Sequence, residues 1–149
     1  MRCWLAALLA CCGGALAAAQ APPSAAALEW QRAWTLHDFD CPACGAEDRA
    51  WLTARLGQVV TFGATRFLNP LYEDCPASVD YGALRRRSPA EAAALLGPGR
   101  LPPLVTPSPL AGSVRCAEAD GPANTVARVV IDGPRAYLLH ESGAVLHLR

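Results

Sequence analysis

Residues 125–148 read TVARVVI-DGP-RAYLLH-ESG-AVLHL. Residues 125–131, 135–140 and 144–148 are runs rich in β-branched, aromatic and aliphatic side chains. Asp132-Gly133-Pro134 and Ser142-Gly143 supply the turn chemistry between them. Three such runs joined by short turns predict an antiparallel meander. This stretch is the clearest structural signal in the sequence, and it points to an antiparallel sheet.

Working back from the meander, residues 113–117 supply a further strand-like run, and residues 101–109 carry Pro102, Pro103, Pro107 and Pro109. Four prolines leave too few N–H donors for a sheet ladder, so this segment is expected to be an extended connector. Ser88-Pro89-Ala90-Glu91 is a capping box with proline at the first helical position. It opens a helix through Leu96 that Gly97-Pro98-Gly99 ends. Residues 79–84 are a possible strand, and Arg85-Arg86-Arg87 reads as solvated loop.

Nearer the N-terminus, residues 58–62 and 65–68 read as sheet, and apolar and polar side chains alternate from Trp30 to Phe39. Residues 46–56 are expected to be helical. Glu47 and Asp48 complement the helix dipole, Trp51, Leu52 and Leu56 form the buried stripe, and Gly57 is the stop. The sum is an α+β, mainly antiparallel fold: a small sheet or barrel of about 7–8 strands with two short helices.

The first nineteen residues have the layout of a secretory signal: Arg2, an apolar run, then small residues with cleavage expected after Ala19. The apolar run falls far short of the roughly 20 residues that cross a bilayer. Leu8-Leu9-Ala10-Cys11 also resembles a lipobox, with lipid attachment at Cys11 as the alternative processing. Residues 20–28 read as a flexible leader, and 29–149 as a single β-rich domain in the periplasm or secreted, with no transmembrane segment.

Without Arg2 the exported part has 12 arginines against 13 acidic residues and no lysine, which leaves no basic field to attract nucleic acid. The expected partner is an unidentified protein or small molecule, and no cofactor or metal is expected. No serine elbow, H-E-x-x-H helix or phosphate loop is present, and His37, His140 and His147 lie on separate strand-like runs without metal-ligand spacing. The expectation is a binding protein rather than an enzyme.

The exported part keeps four cysteines: Cys41, Cys44, Cys75 and Cys116. In an oxidising compartment they are expected to form two disulfides. Three connectivities exist, of which we prefer Cys41 with Cys44 and Cys75 with Cys116. A four-thiolate zinc site fits the spacing poorly, because one close pair meets two isolated cysteines.

Two resemblances bear on function. Cys41-Pro42-Ala43-Cys44, between a strand and a helix over about 20 residues, resembles the C-x-x-C of thioredoxin-like oxidoreductases. That implies redox exchange with Cys41 attacking and Cys44 resolving, although the rest of the chain departs from that fold by ending in strands. Val130-Ile131-Asp132-Gly133, Tyr137-Leu138 and Ser142-Gly143-Ala144 together resemble the C-terminal hairpin of periplasmic C-type lysozyme inhibitors, which are small lipocalin-like barrels. The resemblance implies binding through Ser142 and Gly143. Val145 and Leu146 stand where that family carries a basic and an aromatic residue.

Overall fold

Alternation along a strand buries one face only if the sheet curls or is covered, and this chain does both. The computed structural model describes residues 29–71, 74–75, 78–97, 101–116, 124–140 and 142–149. The expected signal (1–19), the leader (20–28) and Cys11 lie outside the described residues. Nine strands form one antiparallel sheet: β1 (Ala33–Asp40), β2 (Val59–Phe62), β3 (Phe67–Leu68), β4 (Val79–Asp80), β5 (Arg85–Arg86), β6 (Leu110–Cys116), β7 (Asn124–Asp132), β8 (Arg135–Leu139) and β9 (Val145–Leu148). Among the described residues two helices accompany these nine strands, α1 (Ala46–Thr53) and α2 (Pro89–Leu96).

The sheet runs β3-β2-β1-β9-β8-β7-β6-β4, with β5 also on β6. The predicted meander is β7-β8-β9, and its last strand pairs with the first strand of the fold. The sheet is nearly closed into a barrel of eight strands, and Cys75, Val79 and Tyr81 bridge the gap between its ends. Cys75 bridges Phe67 on β3, Val79 N–H donates to the Thr65 carbonyl, and the Tyr81 hydroxyl donates to the Arg66 carbonyl.

The inner face carries the core: Trp34 and Leu36 of β1, Val60 and Phe62 of β2, Val129 of β7, Leu138 of β8, and Leu146 and Leu148 of β9. These alternate along each strand as the pleat requires. A second cluster lies on the outer face, where Ala92 and Leu96 of α2 cover Ala111, Val130, Tyr137 and Val145. The four-residue spacing of Ala92 and Leu96 puts both on one side of the helix. Ser88 caps α2 as expected, accepting from the Glu91 N–H while the Glu91 carboxylate accepts from Ser88 N–H.

Several expectations shift in detail. α1 ends at Thr53 rather than Leu56; the chain turns through Gly57 at φ +89°, and Leu56 is 41% exposed instead of buried. The expected strand 79–84 is divided by a turn in which Asp80 Oδ1 accepts from Gly82 N–H, leaving the short β4 and β5. Arg85 and Arg86 are strand residues paired with Ala111 and Leu110 rather than free loop. Arg86 and Arg87 then spend guanidinium protons on the Ser108 and Ala111 carbonyls. β6 accordingly starts at Leu110, three residues before the expected run. The proline-rich connector has no strand among its residues, and buried Asp132 anchors it. Its carboxylate accepts from Val105 N–H, Thr106 N–H and the Thr106 hydroxyl at 2.6–2.7 Å.

Candidate functional site

The chain leaves β1 at Asp40, makes the Cys41-Pro42-Ala43-Cys44 turn and enters α1. The Cys44 N–H donates to the Cys41 carbonyl at 3.4 Å, closing the turn. Arg49 reaches back from α1 and donates to the carbonyls of both Cys41 and Cys44. Asp48 Oδ2 accepts from Gly45 N–H, satisfying a donor at the helix start. Cys41 is bonded to Cys44, and Cys75 to Cys116. Cys41 is 2% exposed and Cys44 is half-buried, so Cys44 is the more open residue of the first pair.

The β8–β9 turn comes to the same end of the barrel. His140 N–H donates to the Ala144 carbonyl, and Ser142 Oγ lies 2.7 Å from His140 Nδ1 and 3.9 Å from Cys44 Sγ. The Trp51 ring of α1 stands 5.3 Å from the His140 ring, with the Arg55 guanidinium 3.6 Å from the Trp51 centroid. A cleft of about 560 Å³ opens between α1 and this turn. Glu47, Asp48 and Trp51 line one side, His140 and Ser142 the other, and Leu52 and Leu71 contribute the apolar surface. The two motifs that the sequence presents separately, C-x-x-C and Ser-Gly, therefore meet in one place. Gly143 closes the turn, its N–H donating to the His140 carbonyl.

A second cleft, of about 530 Å³, lies where β1 pairs with β9. The register slips between Leu36 and Asp38, so an extra residue enters β1 and the His37 ring comes 6.1 Å from that of His147. Asp38, Arg135, Tyr137 and Arg149 are also in its lining, with Pro102 and Leu148. Burial holds the His147 imidazole below its ordinary pKa, and His37 and Arg149 add to the effect while Asp38 and Asp40 oppose it. His140 does not join this pair; it sits at the first cleft. A third cleft, of about 420 Å³, is bounded by Trp30, Tyr81 and Arg86. Burial raises the pKa of the Tyr81 phenol there.

Among the described residues no three His, Cys, Asp or Glu side chains are placed to hold a metal ion, and no helix is long and apolar enough to cross a membrane. Comparisons with protein-family models, curated proteins and solved structures found no match.

Sequence reasoning missed the roles of Arg49, Trp51 and Asp132. Arg49 has no signal beyond its position five residues after Cys44. Trp51 was read as helix core yet is only half-buried and faces a histidine from a distant turn. Asp132 has the sequence context of a hairpin residue, and nothing local distinguishes a turn aspartate from a buried acceptor.

Proposed function

We propose that this is an exported binding protein whose recognition site is the cleft between α1 and the β8–β9 turn. The observation that carries the reading is the make-up of that cleft: an apolar floor from Leu52 and Leu71, the half-buried Trp51, and a rim on which Glu47 and Asp48 are exposed. A groove that is apolar in its depth and acidic at its rim suits a basic, partly apolar segment of a partner protein. Two disulfides and a modest core accord with a small protein of an oxidising compartment.

The resemblance of the 130–144 region to C-type lysozyme inhibitors makes a C-type lysozyme the first partner to try. Ser142 and Gly143 belong to the cleft under this reading. The test is calorimetric titration of the purified domain with lysozyme, alongside the rate of bacterial cell lysis. Binding that weakens with Glu47→Lys, and a lysis rate that falls with the domain and recovers with Ser142→Trp, support the reading. Absence of heat together with unaltered lysis rejects lysozyme as the partner. Export is tested separately by fractionating cells that express the full chain and sequencing the N-terminus of the recovered protein, which should begin at Gln20.

A further inference from the structure

The two disulfides are buried alike: Cys75 is 1% and Cys41 2% exposed, and their partners Cys116 and Cys44 are both half-buried. The Cys41–Cys44 pair is set apart by its place. Its turn runs into a helix, and Ser142, which lines the cleft and pairs with His140, lies 3.9 Å from the Cys44 sulfur. We infer that Cys41–Cys44 is a site of thiol–disulfide exchange at which an external thiol attacks Cys44, with Ser142 and His140 as positioning residues for the Cys44 sulfur.

Accessibility decides which sulfur is attacked. An incoming thiolate needs a line of approach along the S–S axis, and Cys41 offers almost no surface for it. Attack on Cys44 Sγ forms a mixed disulfide there. The Cys41–Cys44 bond breaks, and its electron pair leaves on Cys41 Sγ, on the turn whose two carbonyls Arg49 holds with its guanidinium. A second external thiolate then attacks the external sulfur of the mixed disulfide, so that Cys44 leaves with the electron pair and the external thiols leave as a disulfide. Two electrons and two protons pass from two thiols to the protein, which ends with free thiols at Cys41 and Cys44.

The leaving Cys44 thiolate appears 3.9 Å from Ser142 Oγ. A hydroxyl carries one proton and can serve one acceptor at a time. With His140 neutral and Nδ1 unprotonated, that proton goes to Nδ1 at 2.7 Å. With Nδ1 protonated, the ring gives up the Ser142 N–H that it accepts from at 3.2 Å, the imidazolium donates to Ser142 Oγ, and the hydroxyl is free to donate to the thiolate. The reactivity of Cys44 is thereby tied to the protonation of His140. Glu47, Asp48 and Trp51 line the cleft with His140, and the Arg55 guanidinium lies over the Trp51 ring. This inference needs only access to Cys44 and does not depend on the cleft binding a basic partner.

The test begins with the unmodified oxidised protein in a series of reduced-to-oxidised glutathione ratios, quenched in acid, alkylated and mapped by peptide mass. Reduction of Cys41–Cys44 while Cys75–Cys116 stays closed, with the glutathione adduct on Cys44, is the expected result. An adduct on Cys41, or a Cys41–Cys44 bond that outlasts Cys75–Cys116, overturns the inference. In the Cys41→Ser variant the lone Cys44 thiol should react with an aromatic disulfide reagent about tenfold faster than the Cys41 thiol of Cys44→Ser. Adding Ser142→Ala to Cys41→Ser should move the pH profile of that rate to higher pH, and Ser142→Thr should restore it. An unmoved profile rejects the role of Ser142 and His140. Lysozyme binding plays no part in these measurements, so the two readings fail separately.

Discussion

Cys75 and Cys116 join the two ends of a sheet that its strands alone leave open. Cys75 pairs with Phe67 of β3, at one end of the strand order, and its sulfur is bonded to Cys116 of β6, which pairs with Val79 of β4 at the other end. The disulfide thus replaces part of the hydrogen-bond ladder that a closed barrel has around its whole circumference.

Replacing Cys75 and Cys116 with alanine is expected to lower the unfolding free energy by about 4 kcal/mol, the chain-entropy value for a closed loop of this length. The Cys41–Cys44 bond closes a far shorter loop, so the same replacement there should cost about 2 kcal/mol. Urea unfolding of the two double variants measures the difference. Equal losses would show that the Cys75–Cys116 bond does not hold the ends of the sheet together.

Asp132→Ala should destabilise the fold by about 3 kcal/mol, because the backbone N–H groups of Val105 and Thr106 and the Thr106 hydroxyl lose one common acceptor. Asp132→Asn keeps one carbonyl oxygen and should cost less. Urea midpoints for the two variants give the comparison, and faster proteolysis within residues 101–109 should accompany the loss.

Gly112 on β6 lies against the Ala83–Leu84 backbone, and a Cβ added there would stand 2.1 Å from the Ala83 carbonyl oxygen. A rigid backbone atom cannot move aside as a side-chain tip does. Gly112→Ala is therefore expected to cost about 3 kcal/mol and lower the melting temperature by roughly 10 °C, read by thermal unfolding. An unchanged melting temperature would mean that the β4–β5 turn does not pack as described.

Stability should depend on pH through His147. Its folded-state pKa lies below the ordinary 6.5, chiefly because burial disfavours the imidazolium. The unfolded chain therefore binds the proton more tightly. The contribution of this group is complete above pH of about 6.5 and is lost as the pH falls from there towards the folded-state value. His147→Gln should flatten the fall of the urea midpoint in that window relative to the unmodified protein. A slope equal in both proteins would assign the acid sensitivity to other groups.

What lay open in the sequence was local. The alternation in residues 125–148, the Ser88–Glu91 box and the acidic first turn of α1 each act over a few residues, and each appears in the structure close to where the pattern puts it. Where the signal was weak, so was the outcome. The end of α1 fell short of Leu56 because Gly57 acts as a stop only for the turn just before it, and the strand 79–84 was divided because an aspartate side chain satisfied a turn N–H that a ladder would otherwise have used.

The sequence by itself determined the antiparallel class, the two helices and the supply of four cysteines in the region after residue 28. Only the tertiary structure decided that β1 lies against β9, which brings His37 to His147, and that the β8–β9 turn reaches Cys44, which sets Ser142 and His140 beside a disulfide about a hundred residues earlier in the chain. The physical reason is that periodicity records which face of a strand is buried and carries no record of which other strand buries it. That choice falls to the closure of the sheet as a whole, where the strands nearest the two ends of the described chain must pair for the inner face to leave water.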